Sequence, residues 1–285
     1  MERRTCFALV AFVFALSFTG CDSFFSTSWG KSREYDATKI DVNAGNIDQW
    51  LSASVGNPAL AGVISDKIYQ QLQDDNLGAA DKAVLLTAGV NLAVESSGLG
   101  QSILSNAAGA LGNLGNMDDS DLETTVTTIL TNIWNDFTSG GGSQAADTIA
   151  KLAALGLTTD ADGNPITTGA VEFNQSYKDA AQPGDVAEAV LVLVLGELGD
   201  LIDKNPEEWT VADWDTILNE DAGLPVGLTD PADGPQKVTV NAGASDKEIA
   251  LAAYLNLIVE GGDQYNGNPL TNTIRDALFN INTNS

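Results

Sequence analysis

The chain has 285 residues, 44% of them hydrophobic, with 39 acidic against 13 basic side chains, no histidine and a formal charge of −26. That balance leaves no basic footprint for nucleic acid, so no nucleic-acid partner is expected. The missing imidazole excludes Ser-His-Asp and Cys-His catalysis and any zinc site built on histidine, which leaves carboxylate, hydroxyl, lysine and backbone chemistry.

The N-terminus reads as an export signal. Arg3 and Arg4 precede an apolar run, Phe7–Phe18, which is shorter than the about 20 residues needed to span a bilayer but suits the apolar core of a secretory signal. Phe18-Thr19-Gly20-Cys21 then resembles a bacterial lipobox, with Phe where Leu is commoner. The resemblance implies that residues 1–20 are removed and that Cys21 becomes the lipidated N-terminus, labelled by palmitate. The other cysteine, Cys6, lies inside the signal, so the exported chain is expected to form no internal disulfide. A lipid chain contributes about 0.8 kcal/mol per buried CH₂, and stable anchoring needs more than one chain. Anionic headgroups repel so acidic a body, so the lipid carries the attachment to the membrane. Residues 21–45 are Ser-, Thr-, Gly- and Asn-containing without periodicity, a flexible tether. A relaxed lipobox followed by "FFSTSWG" resembles uncharacterised lipoproteins of the spirochaete type. The expected location is the cell envelope, lipid-anchored on the periplasmic face of the inner or outer membrane, or at the surface.

Residues 46–285 are expected to form one all-α domain of stacked helical hairpins with two long irregular loops. Asn57-Pro58 predicts an N-cap and first-turn proline opening a helix over 58–73. A second helix is expected over Ala79–Ser96, closed by Gly98, then one over 99–114 and another over 122–137. In the last of these Val126, Ile129, Ile133, Trp134 and Phe137 share a face. "GGGS" at 140–143 ends it and "QAADTIAKLAALGL" begins the next. Residues 158–169 read as a turn-rich loop. Residues 187–202, "AEAVLVLVLGELGDLI", alternate Val and Leu as a strand does, but their length, and Glu188 and Glu197 as the ends, favour a core helix. Asn205-Pro206 caps another segment, 221–244 is irregular with a short extended piece at "KVTV", and Asn268-Pro269 opens a final helix to about 282.

One segment occurs twice. "ADKAVLLTAGVNLAVE" (80–95) and "SDKEIALAAYLNLIVE" (245–260) are identical at eight of sixteen positions, among them Asn91/Asn256 and Glu95/Glu260. Each copy precedes a turn and a further amphipathic segment, which suggests helical hairpins stacked on one another. Apolar positions wrap most of both copies, so both are expected to be central helices. The architecture resembles that of tetratricopeptide-like helical-repeat lipoproteins. Their repeating Trp, Leu-Gly, Tyr, Ala, Phe and Pro pattern is not matched, so the resemblance transfers no functional residue.

Candidate sites are few. Asp118, Asp119, Asp121 and Glu123, and Glu207, Glu208, Asp213 and Asp215 beside Trp209 and Trp214, are carboxylate groups of the kind that hydrolyse glycans. Both groups sit at helix starts, where acids complement the dipole. Asp160, Asp162 and Asn164 place oxygens at alternate positions like a calcium loop, but Pro165 and Val171 stand where such a loop has Gly and Glu. A surface turn is the simpler reading, and no metal or other cofactor is expected. Ser28-x-x-Lys31 lies in the tether and is set aside. Asn91 and Asn256 are polar on apolar helices and are expected to satisfy neighbouring backbone or to contact a ligand. The reading that follows is a non-enzymatic, membrane-anchored scaffold for a protein or peptide partner in the envelope. The alternatives are a small-molecule carrier with an apolar pocket feeding a transporter and, behind it, a carboxylate-dependent glycan hydrolase.

Overall fold

The computed structural model describes residues 39–74, 76–100, 131–201, 228–229 and 237–260, together with Tyr265 and Thr271. The lipobox, the tether as far as residue 38, the segment 101–130 and most of 202–236 and 261–285 lie outside the described residues. So do the acidic groups at 118–123 and 207–215.

The described chain is all-α, built from α1 (Ile47–Ser54), α2 (Pro58–Leu72), α3 (Ala79–Ser96), α4 (Gly142–Gly156), the short α5 (Gln175–Ala180), α6 (Pro183–Leu201) and α7 (Asp246–Glu260). Residues 131–139 are also helical. Asn57 caps α2 as its spacing requires: its side-chain oxygen accepts from the Leu60 amide at 3.2 Å and Pro58 opens the first turn. After α3 the chain turns at Gly98, whose φ of +67° suits glycine. Ser245 and Glu248 close a reciprocal cap on α7, the hydroxyl accepting from the Glu248 amide and the carboxylate from the Ser245 amide.

The two copies of the repeated segment are α3 and α7. Both are buried nearly all round, α7 without interruption from Ala250 to Ile258, and α4 packs against both as well as against α2 and α6. The apolar stretch 187–202 falls within α6. A helix buries such a stretch by satisfying its own backbone, whereas an isolated strand leaves it unpaired. Glu188 and Glu197 are not at the helix ends, as the sequence suggested, but inside it. Glu197 is buried and accepts from the Ser245 hydroxyl at 2.9 Å. Packing is close where α6 crosses α4: a Cβ added at Gly196 would stand 2.5 Å from that of Ala146.

The core reaches into the stretch read as tether. Ile40 and Val42 are buried with Ile47, so the folded body begins before residue 46. Ile133, Trp134 and Phe137 are buried together, while Val126 and Ile129 of that expected face lie outside the described residues. Three two-residue strands, β1 (Gly169–Ala170), β2 (Leu228–Thr229) and β3 (Thr239–Val240), form an antiparallel sheet in the order β1-β3-β2. Gly169 pairs with Val240, and Leu228 pairs with Val240 from the other side. The extended piece expected at "KVTV" is β3. No helix among the described residues is long and apolar enough to cross a membrane.

Candidate functional site

Strands this short do not hold themselves together, and Asn256 supplies part of what is missing. It is fully buried on α7; its amide donates to the carbonyls of Val171 and Val238, both at 2.9 Å, and its oxygen accepts from the Val238 amide at 2.6 Å. All of its bonds in the described structure go to backbone, so Asn256 is a stitch between helix and sheet. Beside it, Glu172 and Glu260 meet Lys178 and Lys237 in a four-membered ion cluster, with Lys178 at 2.9 and 3.0 Å from the two carboxylates and Lys237 bonded to both. The bond from Lys237, then that from Lys178, draws the Glu172 carboxyl below its ordinary value.

Asn91, at the matching place in the other copy, does something else. It is half-buried, and its side chain lowers the Asp185 carboxyl against the larger, raising effect of burial. One turn further along α3 stands Glu95, whose Oε1 accepts from the Gly56 amide at 2.7 Å. On α6, Asp185 and Glu188 are three residues apart and therefore share a face. α3 and α6 pack against each other, and Glu95, Asp185 and Glu188 are each half-buried.

Three phenols are buried in the core. Tyr177 of α5 and Tyr254 of α7 bring their hydroxyls to 3.0 Å of each other, and Phe173 packs between them with ring centroids 4.2 and 4.8 Å away. Tyr265 is 1% exposed, and its hydroxyl has no hydrogen-bond partner among the described residues. The charge of Asp185 reaches all three phenols.

Burial without a counter-charge governs the titration of these groups. Glu95 is raised by desolvation, opposed by the bond from Gly56, and Asp185 by desolvation, opposed by the bond from Asn91. Glu188 has no such bond to offset its burial. Desolvation first, then repulsion by Asp185 and Glu95, lifts it to about 8, so it holds a proton near neutrality and can release one when a positive charge arrives. The three phenols are raised as well, chiefly by burial.

In the loop at 160–164 one carboxylate oxygen is engaged by the turn itself. Asp160 Oδ1 accepts from the amides of Asp162 and Asn164, both at 2.9 Å, in an exposed turn. No group of side chains among the described residues is arranged to hold a metal ion.

Asp185 was not singled out in the sequence, and Glu95 entered only as a repeat match. The available signal was Glu188, a carboxylate inside the most apolar stretch after the export signal. Comparison with known proteins finds no match among family models, curated proteins or solved structures.

Proposed function

We propose that the chain is a lipid-anchored cell-envelope protein that acts by binding, without catalysis, and holds a basic protein or peptide segment against its acidic helical body. The observation that carries this reading is the sequence Phe18-Thr19-Gly20-Cys21 at the end of a short apolar run, in a chain of formal charge −26. Charge complementarity favours the basic partner. Large apolar side chains give little alternative footing: among the described residues only Val84 and Leu155 are exposed, at 42% and 40%.

Two experiments test the two halves. Cys21→Ser abolishes incorporation of labelled palmitate in cells and releases the protein from the membrane fraction; undiminished labelling refutes the anchor. Crosslinking in intact cells, followed by purification through a C-terminal tag, recovers one envelope protein at near-equal stoichiometry whose contact surface is rich in Lys and Arg. Recovery of the chain alone refutes the scaffold.

A further inference from the structure

The sheet is fastened to the helical body in two ways, and only one of them carries charge. The bonds of Asn256 to Val171 and Val238 come from a neutral amide that does not titrate. The other fastening is the ion cluster, whose members divide evenly between the two parts it joins. Glu172 lies shortly after β1 and Lys237 shortly before β3, whereas Lys178 belongs to α5 and Glu260 ends α7. From sheet to body, Glu172 meets Lys178 at 2.9 Å and Lys237 meets Glu260. Within the sheet side Lys237 pairs with Glu172, and within the body Lys178 pairs with Glu260 at 3.0 Å. Each side therefore contributes one carboxylate and one ammonium, and each carboxylate pairs with both lysines.

Such a closed square responds to acid more strongly than a single ion pair does. Once both carboxylates are protonated, the charges left are Lys237 on the sheet and Lys178 on the body. These ammonium groups are held close by the carboxylates they share, so attraction between sheet and body gives way to repulsion between like charges. The four side chains are between 22% and 38% exposed, so protons reach them without prior unfolding. Among the described residues, the charges acting on Glu172, Lys178 and Lys237 are those of the cluster's own members, so no outside group compensates the change. The bonds from Lys237 and Lys178 hold the Glu172 carboxyl below its ordinary value. A group lowered in this way stabilises the fold above its unfolded value, and that stability is lost as pH falls through the folded one.

We propose that the cluster is an acid-opened clasp: it holds β1 and β3 to α5 and α7 while its carboxylates are ionised, and drives them apart when they are protonated. With the clasp charged, the strands open only together with α7. With it protonated, they open while the helices stay formed. The titratable groups that face one another are Glu172, Lys178, Lys237 and Glu260. Neither the lipid anchor nor a protein partner enters this behaviour, so it stands or falls separately from the proposed function.

Hydrogen exchange of the full chain in a non-ionic detergent, read by mass spectrometry, tests the clasp. Protection is corrected for the pH dependence of intrinsic exchange and expressed relative to α4. Between about pH 7 and about pH 3, which brackets the glutamate range, the relative protection of residues 158–173 and 237–241 falls about tenfold or more, while α7 keeps its own. Glu172→Gln shows a loss of about that size already at neutral pH. Lys237→Gln leaves the sheet without an ammonium to be repelled; it is less protected at neutral pH and has lost the further response to acid. Asp147→Asn, which removes the separate ion pair with Lys247, keeps the parent profile. Thermal melts verify that each variant is folded. Constant relative protection of the strands across the pH range overturns the proposal, as do loss of protection in α7 at the same pH as in the strands, an undiminished acid response in Lys237→Gln, a parental profile in Glu172→Gln, and an altered one in Asp147→Asn.

Discussion

Replacing Asn256 by alanine removes one small side chain and strands three backbone groups. The Val238 amide loses its acceptor, and the carbonyls of Val171 and Val238 lose a donor. A typical net hydrogen bond contributes about 1 kcal/mol, and a buried donor left without a partner costs about 1–3 kcal/mol. Weighting the stranded amide more heavily than carbonyls that have a second lone pair, the sum is roughly 3–5 kcal/mol. In a body of this size a change of 1 kcal/mol shifts Tm by about 2–4 °C, so Asn256→Ala lowers the midpoint by roughly 10 °C. Asn91→Ala is the internal control. It occupies the same place in the repeated segment but is only half-buried, and its replacement costs about 1 kcal/mol or less. Thermal unfolding by circular dichroism, with urea titration for the free energies, measures both. Equal losses in the two variants, or a loss below about 1 kcal/mol in Asn256→Ala, would show that the stitch does not hold the sheet to α7.

Glu188 makes stability fall as pH rises. Its carboxyl is raised to about 8 in the folded chain, so between roughly pH 5 and 8 the folded state keeps a proton that the unfolded state releases, and unfolding becomes easier across that window. Glu188→Gln flattens the profile of Tm against pH relative to the parent chain; parallel profiles would refute the assignment. Gly196→Ala places two fixed Cβ atoms at 2.5 Å and costs about 1–3 kcal/mol from overpacking, more than the about 1 kcal/mol gained in helix propensity. Adding Ala146→Gly restores most of that loss, and urea midpoints of the single and double variants decide it. Asn57→Ala removes the cap of α2 and lowers stability by about 1 kcal/mol in the same assay, a result that an unchanged midpoint would contradict.

Local chemistry made much of the helical frame legible. Asn57-Pro58 marks the start of α2, and Gly98 marks the turn after α3, because caps and left-handed turns depend on a few adjacent residues. The helical state of 187–202 followed from its length, since a strand of that extent would be unusual. The burial of Ile40 and Val42 was hidden by polar neighbours, whose composition resembles that of a tether. Asn91 and Asn256 look alike in sequence and differ in structure because each role is set by what packs opposite: a carboxylate of α6 in one case, bare sheet backbone in the other. The ion cluster joins residues 172, 178, 237 and 260, and the carboxyl of Glu188 is raised by burial and by the charges of residues 185 and 95. No periodicity within one segment encodes such separations. The resemblance to helical-repeat lipoproteins gave no residue to carry over, and the site had to be found from burial and charge.

The sheet has a consequence for how the protein opens. Each of its strands has only two residues, and β1 and β3 are fixed to α7 through Asn256 and the lysine–glutamate cluster. Those two strands therefore have no stability apart from that helix. Amide exchange in the loop from Leu157 to Phe173 and in β3 should follow the protection of α7, slow while that helix is formed and fast as soon as it frays. The irregular segments so tied belong to the most cooperative part of the molecule, although by secondary structure alone they would be placed among its loosest.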